Sequence, residues 1–293
     1  MSKLCVIVPT YNEAKNLSTL VTRVEKVLCA LDFSFVIVDD NSSDKTAEVA
    51  KKLNQVYGNV IVRCREREVG LGSAIVEGLK TCLAMDGVDR ILTLDGDLSH
   101  NPTDIPRLLQ AAQEADLVQG SRYIENGSIR GWGLTRRLTS YVANLICRFL
   151  FGTSVHDYTG NFRVYSRECA EAIVNCTNCK GFDWTVEAMF VAKKYGFRVK
   201  EVPISFRDRE DGKTKLCAKE IANWVSSAMK SFLSPAQPCL KVSHHPTLAI
   251  QRSSTFNVTV TPPMVSTTIY TLSSRSPSLS DHAESNCLVK SKE

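Results

Sequence analysis

No apolar run in this 293-residue sequence approaches the roughly 20 residues that a bilayer-crossing helix needs. The N-terminal run, Leu4 to Val8, ends at Pro9 and is too short for a signal-peptide core. The expectation is a chain without a spanning segment or leader. A dense stripe of one charge is also missing. The formal net charge is +5, from 36 Lys and Arg against 31 Asp and Glu, which is too mild for a nucleic-acid binder. Gly (15 residues) and Pro (10) are not enriched, so a collagen-like or wholly low-complexity chain is excluded. Nor does a second Cys or His pair stand beside Cys176 and Cys179. Their CxxC spacing supplies only two of the four ligands of a structural zinc site. The 11 cysteines are odd in number and scattered, with Cys5, Cys29 and Cys147 inside apolar segments. They read as reduced, buried thiols of an intracellular chain.

What is present is 43% apolar residues, enough for a sizeable core, arranged in alternating strand and helix patterns. Strands are expected at Leu4–Val8, Phe33–Val38, Val60–Val62, Ile91–Leu94 and Leu117–Gln119. Helices are expected from Glu13 to Leu31 with Asn12 as cap, from a Ser43 or Asp44 cap to Leu53, from Ser73 to Ala84 and from Pro102 to Gln113. This order predicts an α/β fold with a mostly parallel sheet flanked by helices. Later, Lys193–Phe206 reads as a helix end and then a strand, where Pro203 marks an edge or bulge. Residues 216–233 form an amphipathic pattern, with Ile221, Trp224, Val225, Ala228, Met229 and Phe232 on one face. From Ser234 the composition turns to Ser, Thr and Pro with few charges. The expected division is therefore an α/β domain over 1–233 and a disordered tail over 234–293.

Ligands of such sheets bind beyond the carboxyl ends of the strands. Pro9-Thr-Tyr11, Asp39-Asp40 and Asp95-Gly-Asp97 all fall there. Asp95 and Asp97 lie one residue apart on the same side of an extended chain, where their charges repel. A divalent cation resolves that repulsion, and Mg²⁺ favours one or two carboxylates together with phosphate oxygens. A solvated acidic turn would look the same in isolation. Asp39 and Asp40 are acceptors suited to a base or ribose, and Tyr11 can line a nucleobase. Glu13 sits near a helix start, where a carboxylate also complements the dipole. Gly70-Leu-Gly72 before a helix suggests close approach to an anion. The cationic half is Ser121–Leu150, with arginines at 122, 130, 136, 137 and 148 against one acid, Glu125. Arg122, Arg136, Arg209 and Lys215 are the phosphate-binding candidates, with Ser140 one turn beyond Arg136.

Together these segments resemble the dolichol-phosphate mannose synthases, among the family-2 glycosyltransferases. The resemblance runs through Val8-Pro-Thr-Tyr-Asn-Glu13, Val38-Asp-Asp-Asn-Ser42, Gly70-Leu-Gly72, Asp95-Gly-Asp-Leu-Ser-His100 and Gly120-Ser-Arg-Tyr123. It continues through Gly131-Trp132, Arg136, Asp157-Tyr-Thr-Gly-Asn-Phe-Arg163, Glu201-Val-Pro-Ile204, Asp208-Arg209 and Lys213-Thr-Lys-Leu216, covering about residues 3–233. It implies a GT-A (Rossmann-like) fold, a GDP-mannose donor and a Mg²⁺ or Mn²⁺ ion on Asp95 and Asp97. Pro9, Tyr11, Glu13, Val38, Asp39 and Asp40 would hold the nucleotide. Asp95, Gly96 and Asp97 would meet the donor, with Arg122, Arg209 and Lys215 on its phosphates. Arg122, Arg136 and Ser140 would face the acceptor phosphate. Asp95, Asp97 and Arg122 are thus the implied catalytic residues. Asp183 departs from the family, whose members often carry an apolar residue there.

The implied acceptor is dolichyl or another polyprenyl phosphate, which places the chain at a membrane surface. That surface is the cytoplasmic face of the endoplasmic reticulum in a eukaryote, or of the cell membrane otherwise. Anchoring by small membrane subunits is expected, and no nucleic-acid partner. Leu134, Leu138, Val142, Leu145 and Phe149 form a stripe that suits either a membrane interface or the protein core. Two rivals stay open: a polyprenyl-phosphate transferase for glucose or another sugar, and a non-catalytic nucleotide-binding subunit.

Overall fold

The computed structural model describes residues 3–208, apart from 68, 153, 179 and 182. Arg209, Lys215, the helix expected over 216–233 and the tail expected over 234–293 therefore lie outside the described residues. The expected alternation is observed as β1 (Lys3–Thr10), α1 (Ala14–Leu28), β2 (Phe33–Asp39), α2 (Thr46–Tyr57), β3 (Val60–Cys64), α3 (Leu71–Leu83) and β4 (Val88–Thr93). A short 3₁₀ turn at Pro102–Asp104 leads into α4 (Ile105–Ala111) and β5 (Leu117–Ser121). Then come β6 (Ser128–Arg130), α5 (Leu134–Phe151), β7 (Arg163–Ser166), α6 (Arg167–Cys176), α7 (Trp184–Lys194), β8 (Val199–Pro203) and β9 (Ser205–Arg207).

Seven strands form one sheet in the order β3-β2-β1-β4-β7-β5-β8, and β6 pairs with β9 in a small second sheet. Pairing is parallel except around β7, which runs antiparallel to both β4 and β5. The fold is α/β with a mostly parallel sheet, as expected. Pro203 ends the edge strand β8, where a missing N–H costs the sheet nothing.

The strands alternate between two apolar layers. Leu4, Val6 and Val8 of β1 pack with Leu17, Leu20 and Val24 of α1. Cys5 and Ile7 face Ala74, Ile75 and Leu79 of α3. Each such aliphatic side chain stabilises the fold by about 1.5–3 kcal/mol relative to exposure. In α1 the buried positions 17, 20, 21, 24 and 28 recur at helical spacing.

Four local expectations are corrected. Asn12 does not cap α1. It adopts a left-handed φ of 59° and accepts the Ser43 N–H on its side chain. Asp44 instead serves both neighbouring helix starts, accepting the N–H of Ala14 at 2.9 Å and of Thr46 at 3.1 Å. Burial works against its charge, but these bonds and that of the Thr46 hydroxyl hold its carboxyl below the ordinary range.

Cys5 and Cys82, expected as reduced thiols, are joined in a disulfide. Stacking α3 on β1 brings two residues 77 apart in sequence to a Cα separation of 6.2 Å. Cys176 is likewise disulfide-bonded. Finally, the N–H groups around Gly70 and Gly72, expected to face an anion, are taken up inside the chain, that of Gly70 by the Asp40 carboxylate. The N–H groups of Gly72 and Ser73 donate to the carbonyls of Gly181 and Lys180, and a Cβ on Gly72 would meet Trp184.

Candidate functional site

The strand order reverses direction between β1 and β4, the switch point at which open α/β sheets bind ligands. Three of the predicted motifs meet there. Gly96 lies against β1 and its loop: a Cβ on it would touch Thr10 Cγ2 at 3.3 Å, Pro9 O at 3.4 Å and Glu13 Cγ at 3.4 Å. The segment 9–13 and the acidic pair are thus adjacent, and the missing side chain keeps them close. The Asp40 N–H donates to Thr10 O at 3.0 Å, which adds the end of β2 to the same edge.

The two acids at that edge are more internally engaged than the sequence suggests. Asp39 accepts from Thr10 Oγ1 at 3.0 Å, Ser42 Oγ at 2.6 Å and Ser42 N at 2.9 Å. Asp40 pairs with Arg65 and accepts the Gly70 N–H at 3.1 Å, tying the loop after β3 to the site. Arg65, which sequence reasoning passed over, also reaches Ser73 Oγ at 2.7 Å.

Asp95 follows β4. Its Oδ1 accepts from Asn161 Nδ2 at 2.9 Å, while its N–H donates to His100 Nδ1 at 3.1 Å. His100 is buried and stacks on Phe162. Burial depresses its pKa against the opposing pull of Asp95 and Asp97. The ring is neutral, with Nδ1 as acceptor and the proton on Nε2. Asp97 Oδ1 accepts the Ser99 N–H at 3.0 Å. Asn161 Oδ1 and Ser99 Oγ, beside this pair, are buried without a hydrogen-bond partner. Among the described residues no cluster of three or more His, Cys, Asp or Glu gathers that would hold a metal ion. The donor set is instead two carboxylates at a ligand edge. That set fits Mg²⁺ or Mn²⁺ completed by phosphate oxygens, as opposed to an all-protein cage.

The basic half assembles around Trp132. The Arg122 guanidinium lies 5.2 Å from its ring centroid, and the Arg136 guanidinium 4.2 Å. Arg136 also pairs with Asp208 at 2.7 Å. Ser140 Oγ accepts from Tyr123 Oη at 2.7 Å. Arg122, just past β5, is thus brought together with Arg136 and Ser140 of α5. Phe206 joins the two halves, packing on His100 at 5.5 Å, Trp132 at 5.3 Å and the Arg122 guanidinium at 5.3 Å.

Arg122 itself is only 8% exposed and forms a two-point pair with Asp157, Nε to Oδ2 at 2.7 Å and Nη2 to Oδ1 at 2.8 Å. Burial opposes ionisation of Asp157, but the Arg122 charge and hydrogen bonds, with Arg163 beyond, hold the carboxyl below its ordinary value. Asp157, Thr159, Asn161, Trp132 and His100 were visible in the sequence only as members of motifs, and Phe206 only as the end of a strand. A buried acid in a loop has no local signature.

The stripe on α5 does not pack into the core. Leu134 and Phe149 are each 87% exposed, Leu138 63%, Leu145 50% and Val142 42%. Among the described residues no helix is long and apolar enough to cross a membrane.

A model of the glycosyl transferase family 2 matches residues 5–174. The chain belongs to glycosyltransferase family 2. It is 37% identical over 219 residues to a polyprenol monophosphomannose synthase of Mycolicibacterium smegmatis, covering 74% of this chain and 82% of that one. It is 34% identical over 215 residues to an undecaprenyl-phosphate mannosyltransferase of Micrococcus luteus, covering 73% and 87%. These relatives place it with the polyprenyl-phosphate mannose synthase group of the family. Among solved structures, the glucosyl-3-phosphoglycerate synthase of Mycobacterium tuberculosis with Mn²⁺, UDP and phosphoglyceric acid matches with a TM-score of 0.62 at 16% identity, over 80% of each chain. The same enzyme with Mg²⁺ and UDP matches at 0.61 and 15%, over 80% of this chain and 81% of that one. These likenesses bear on the fold, which is that of a family-2 glycosyltransferase.

Proposed function

We propose that this glycosyltransferase moves mannose from GDP-mannose to a polyprenyl phosphate of the dolichyl type, giving a β-linked mannosyl phospholipid. The observation that carries the reading is the joining of three features at one edge. These are the carboxylate pair, the Arg122–Trp132–Arg136 cluster, and a helix whose apolar side chains face outward from the same cluster. A soluble acceptor would leave that stripe without a use. The names of the two bacterial relatives support the same donor sugar and lipid class.

Asp95 and Asp97 would hold a Mg²⁺ or Mn²⁺ ion, which when bound neutralises charge on the donor diphosphate. Asn161 and Ser99 fix one oxygen of each carboxylate and so orient the pair. Pro9, Tyr11, Glu13, Val38, Asp39 and Asp40 frame the nucleoside, with Gly96 giving the donor room to approach. Arg122 stabilises phosphate charge between the two halves, and the resemblance adds Arg209 and Lys215 on the donor side. Arg136 and Ser140 take the acceptor phosphate. That phosphate monoester is largely ionised at neutral pH, since its second pKa is about 6. An oxygen of it attacks the anomeric carbon, the bond to the GDP oxygen breaks, and the α-configured donor gives a β-product. No proton has to be removed, so a dedicated base is unnecessary.

The apolar side chains of α5 would lie in the lipid interface, with Arg130 and Arg137 at the headgroups. The enzyme would work at the cytoplasmic face of the endoplasmic reticulum or of a cell membrane, with small membrane subunits as anchors. The test is transfer of label from GDP-mannose and from UDP-glucose to dolichyl phosphate, with and without Mg²⁺ or Mn²⁺. Mannose transfer that requires metal is the expected result. Transfer from UDP-glucose alone would replace the sugar, and no transfer from either donor would overturn the reading.

A further inference from the structure

Two acids in the matched motifs have no place in the reaction above. The Asp157 side chain is fully buried and that of Glu201 is 7% exposed. Ionised carboxylates persist in such surroundings only where their oxygens are bonded. Glu201, on the edge strand β8, uses both oxygens on the backbone of the loop before β7. Oε2 accepts the His156 N–H at 2.8 Å, and Oε1 accepts the Asp157 N–H at 3.0 Å. The His156 ring adds a contact from Nδ1 to Oε2 at 2.9 Å.

Asp157, held by its backbone in this way, presents its side chain to Arg122. Besides the two-point pair, its Oδ2 accepts the Arg122 N–H at 3.1 Å, and Oδ1 accepts the Gly160 N–H at 3.1 Å. Thr159 Oγ1 takes a further bond from Arg122 Nη2 at 2.8 Å. Asn144 of α5 closes the loop from the other side, accepting the Tyr158 N–H at 2.8 Å and donating to Thr159 Oγ1 at 3.3 Å. Nε and Nη2 of Arg122 are therefore consumed, which sets the plane of the guanidinium. Among the described residues Nη1 donates to none.

We propose that Glu201 is a positioning residue for Arg122, acting through the 156–157 backbone and the Asp157 carboxylate. A carboxylate present only to keep β8 in the sheet would not need both oxygens on the loop that carries the partner of Arg122. Two backbone bonds to one residue fix the height of that loop. The two-point pair converts the height into an orientation of the guanidinium. This inference rests on Arg122 acting on a phosphate, as proposed above.

The test is a double-mutant cycle in the full chain, with transfer kinetics, GDP titration and thermal melts on each variant. Glu201→Gln keeps the size of the side chain but replaces one acceptor with a donor facing an N–H. It is expected to lower kcat by about 10- to 100-fold, the scale of a small misplacement at a reacting centre. The KM for the nucleotide sugar should stay within roughly twofold of wild type. On an Arg122→Lys background, where the two-point pair cannot form, Glu201→Gln should cost less than about twofold. Glu201→Asp, which keeps the charge but shortens the reach to the His156 and Asp157 N–H groups, gives the same comparison should Glu201→Gln fold poorly. An equal loss on both backgrounds would overturn the proposal, as would a Glu201→Gln enzyme with wild-type kcat. Wild-type transfer by Arg122→Lys alone is a different failure. It removes the phosphate role of Arg122, and this inference with it.

Discussion

Replacing Gly72 by alanine separates the two meanings a glycine can have before a helix. In a ligand-binding role, a methyl group would obstruct the anion and spare the fold. In the packing role seen here, it would do the reverse. A Cβ at position 72 would lie against Trp184 Cβ, 2.8 Å from Gly181 O and 2.8 Å from Trp184 Cγ, closer than real Cβ atoms come to such neighbours. Neither neighbour yields easily: one is backbone, and Trp184 is fully buried in the layer beneath α3. Overpacking of this kind costs about 1–3 kcal/mol, against which the helix preference of alanine over glycine returns at most about 1 kcal/mol. With that full return the net loss is at most about 2 kcal/mol, which lowers Tm by up to about 8 °C for a chain of this size. GDP affinity, measured by titration calorimetry below the transition, should be unchanged. Gly58→Ala is the control, because its φ of +76° is strained for alanine while nothing lies within 4 Å. It should cost on the order of 1 kcal/mol from the backbone alone. The packing account is refuted if Gly72→Ala melts with the wild type and binds GDP about tenfold more weakly, a change of about 1.4 kcal/mol.

Asp97→Ala should reduce metal-dependent transfer by more than about 100-fold with the melt preserved, since several kcal/mol of leaving-group stabilisation are lost. Activity near wild type at saturating Mg²⁺ would count against the carboxylate pair. Asp157 has a depressed folded pKa, so its contribution to stability is complete above its unfolded value of about 3.9 and is lost as pH falls through the lower folded value. The urea midpoint of wild type should therefore converge on that of Asp157→Asn only below about pH 4. A gap that stays constant down to pH 2 would contradict the pairing. Leu138→Asp and Phe149→Ser remove exposed apolar groups, so they should leave Tm within the error of about 0.5 kcal/mol usual for surface changes. Each should weaken sedimentation with anionic vesicles about tenfold or more, since an inserted side chain contributes about 1.5–3 kcal/mol. Unchanged sedimentation would turn the stripe toward a protein partner.

The parts legible beforehand were those with a short-range pattern. Val6, Val8, Phe35 and Ile37 announce strands because they stand in short runs that are apolar but for Ser34, and the motifs at their ends follow from that. Asp95 and Asp97 were legible for the same reason, as acids at the end of an apolar run. Strand direction leaves no such mark. Arg163–Ser166 is four residues long, and its reversal depends on partners more than 40 residues away. Partnership is equally silent. Nothing near Asp157 says that it is buried against Arg122, and nothing near Cys5 names Cys82. Gly72 was ambiguous because a glycine records that something comes close without recording whether a ligand or Trp184 does. The exposure of Leu134 and Phe149 was undecided for a related reason, since an amphipathic pattern is the same against lipid as against core.

The reversed strand also orders events during synthesis. As the chain emerges, β1 to β4 can pair at once, and they bring together Pro9, Asp40 and Asp95. The far side of β4, with the fully buried Ile91 and Leu92, has no neighbour until Arg163–Ser166 arrives some 70 residues later. At about 5–20 residues per second that interval is roughly 4–14 s. Throughout it the nascent sheet shows an unpaired apolar edge, the kind of edge on which foreign strands add. The half that carries Pro9, Asp40 and Asp95 is assembled before the half that carries Arg136 and Ser140 exists. The gap between them is a window in which this chain depends on whatever shields nascent proteins.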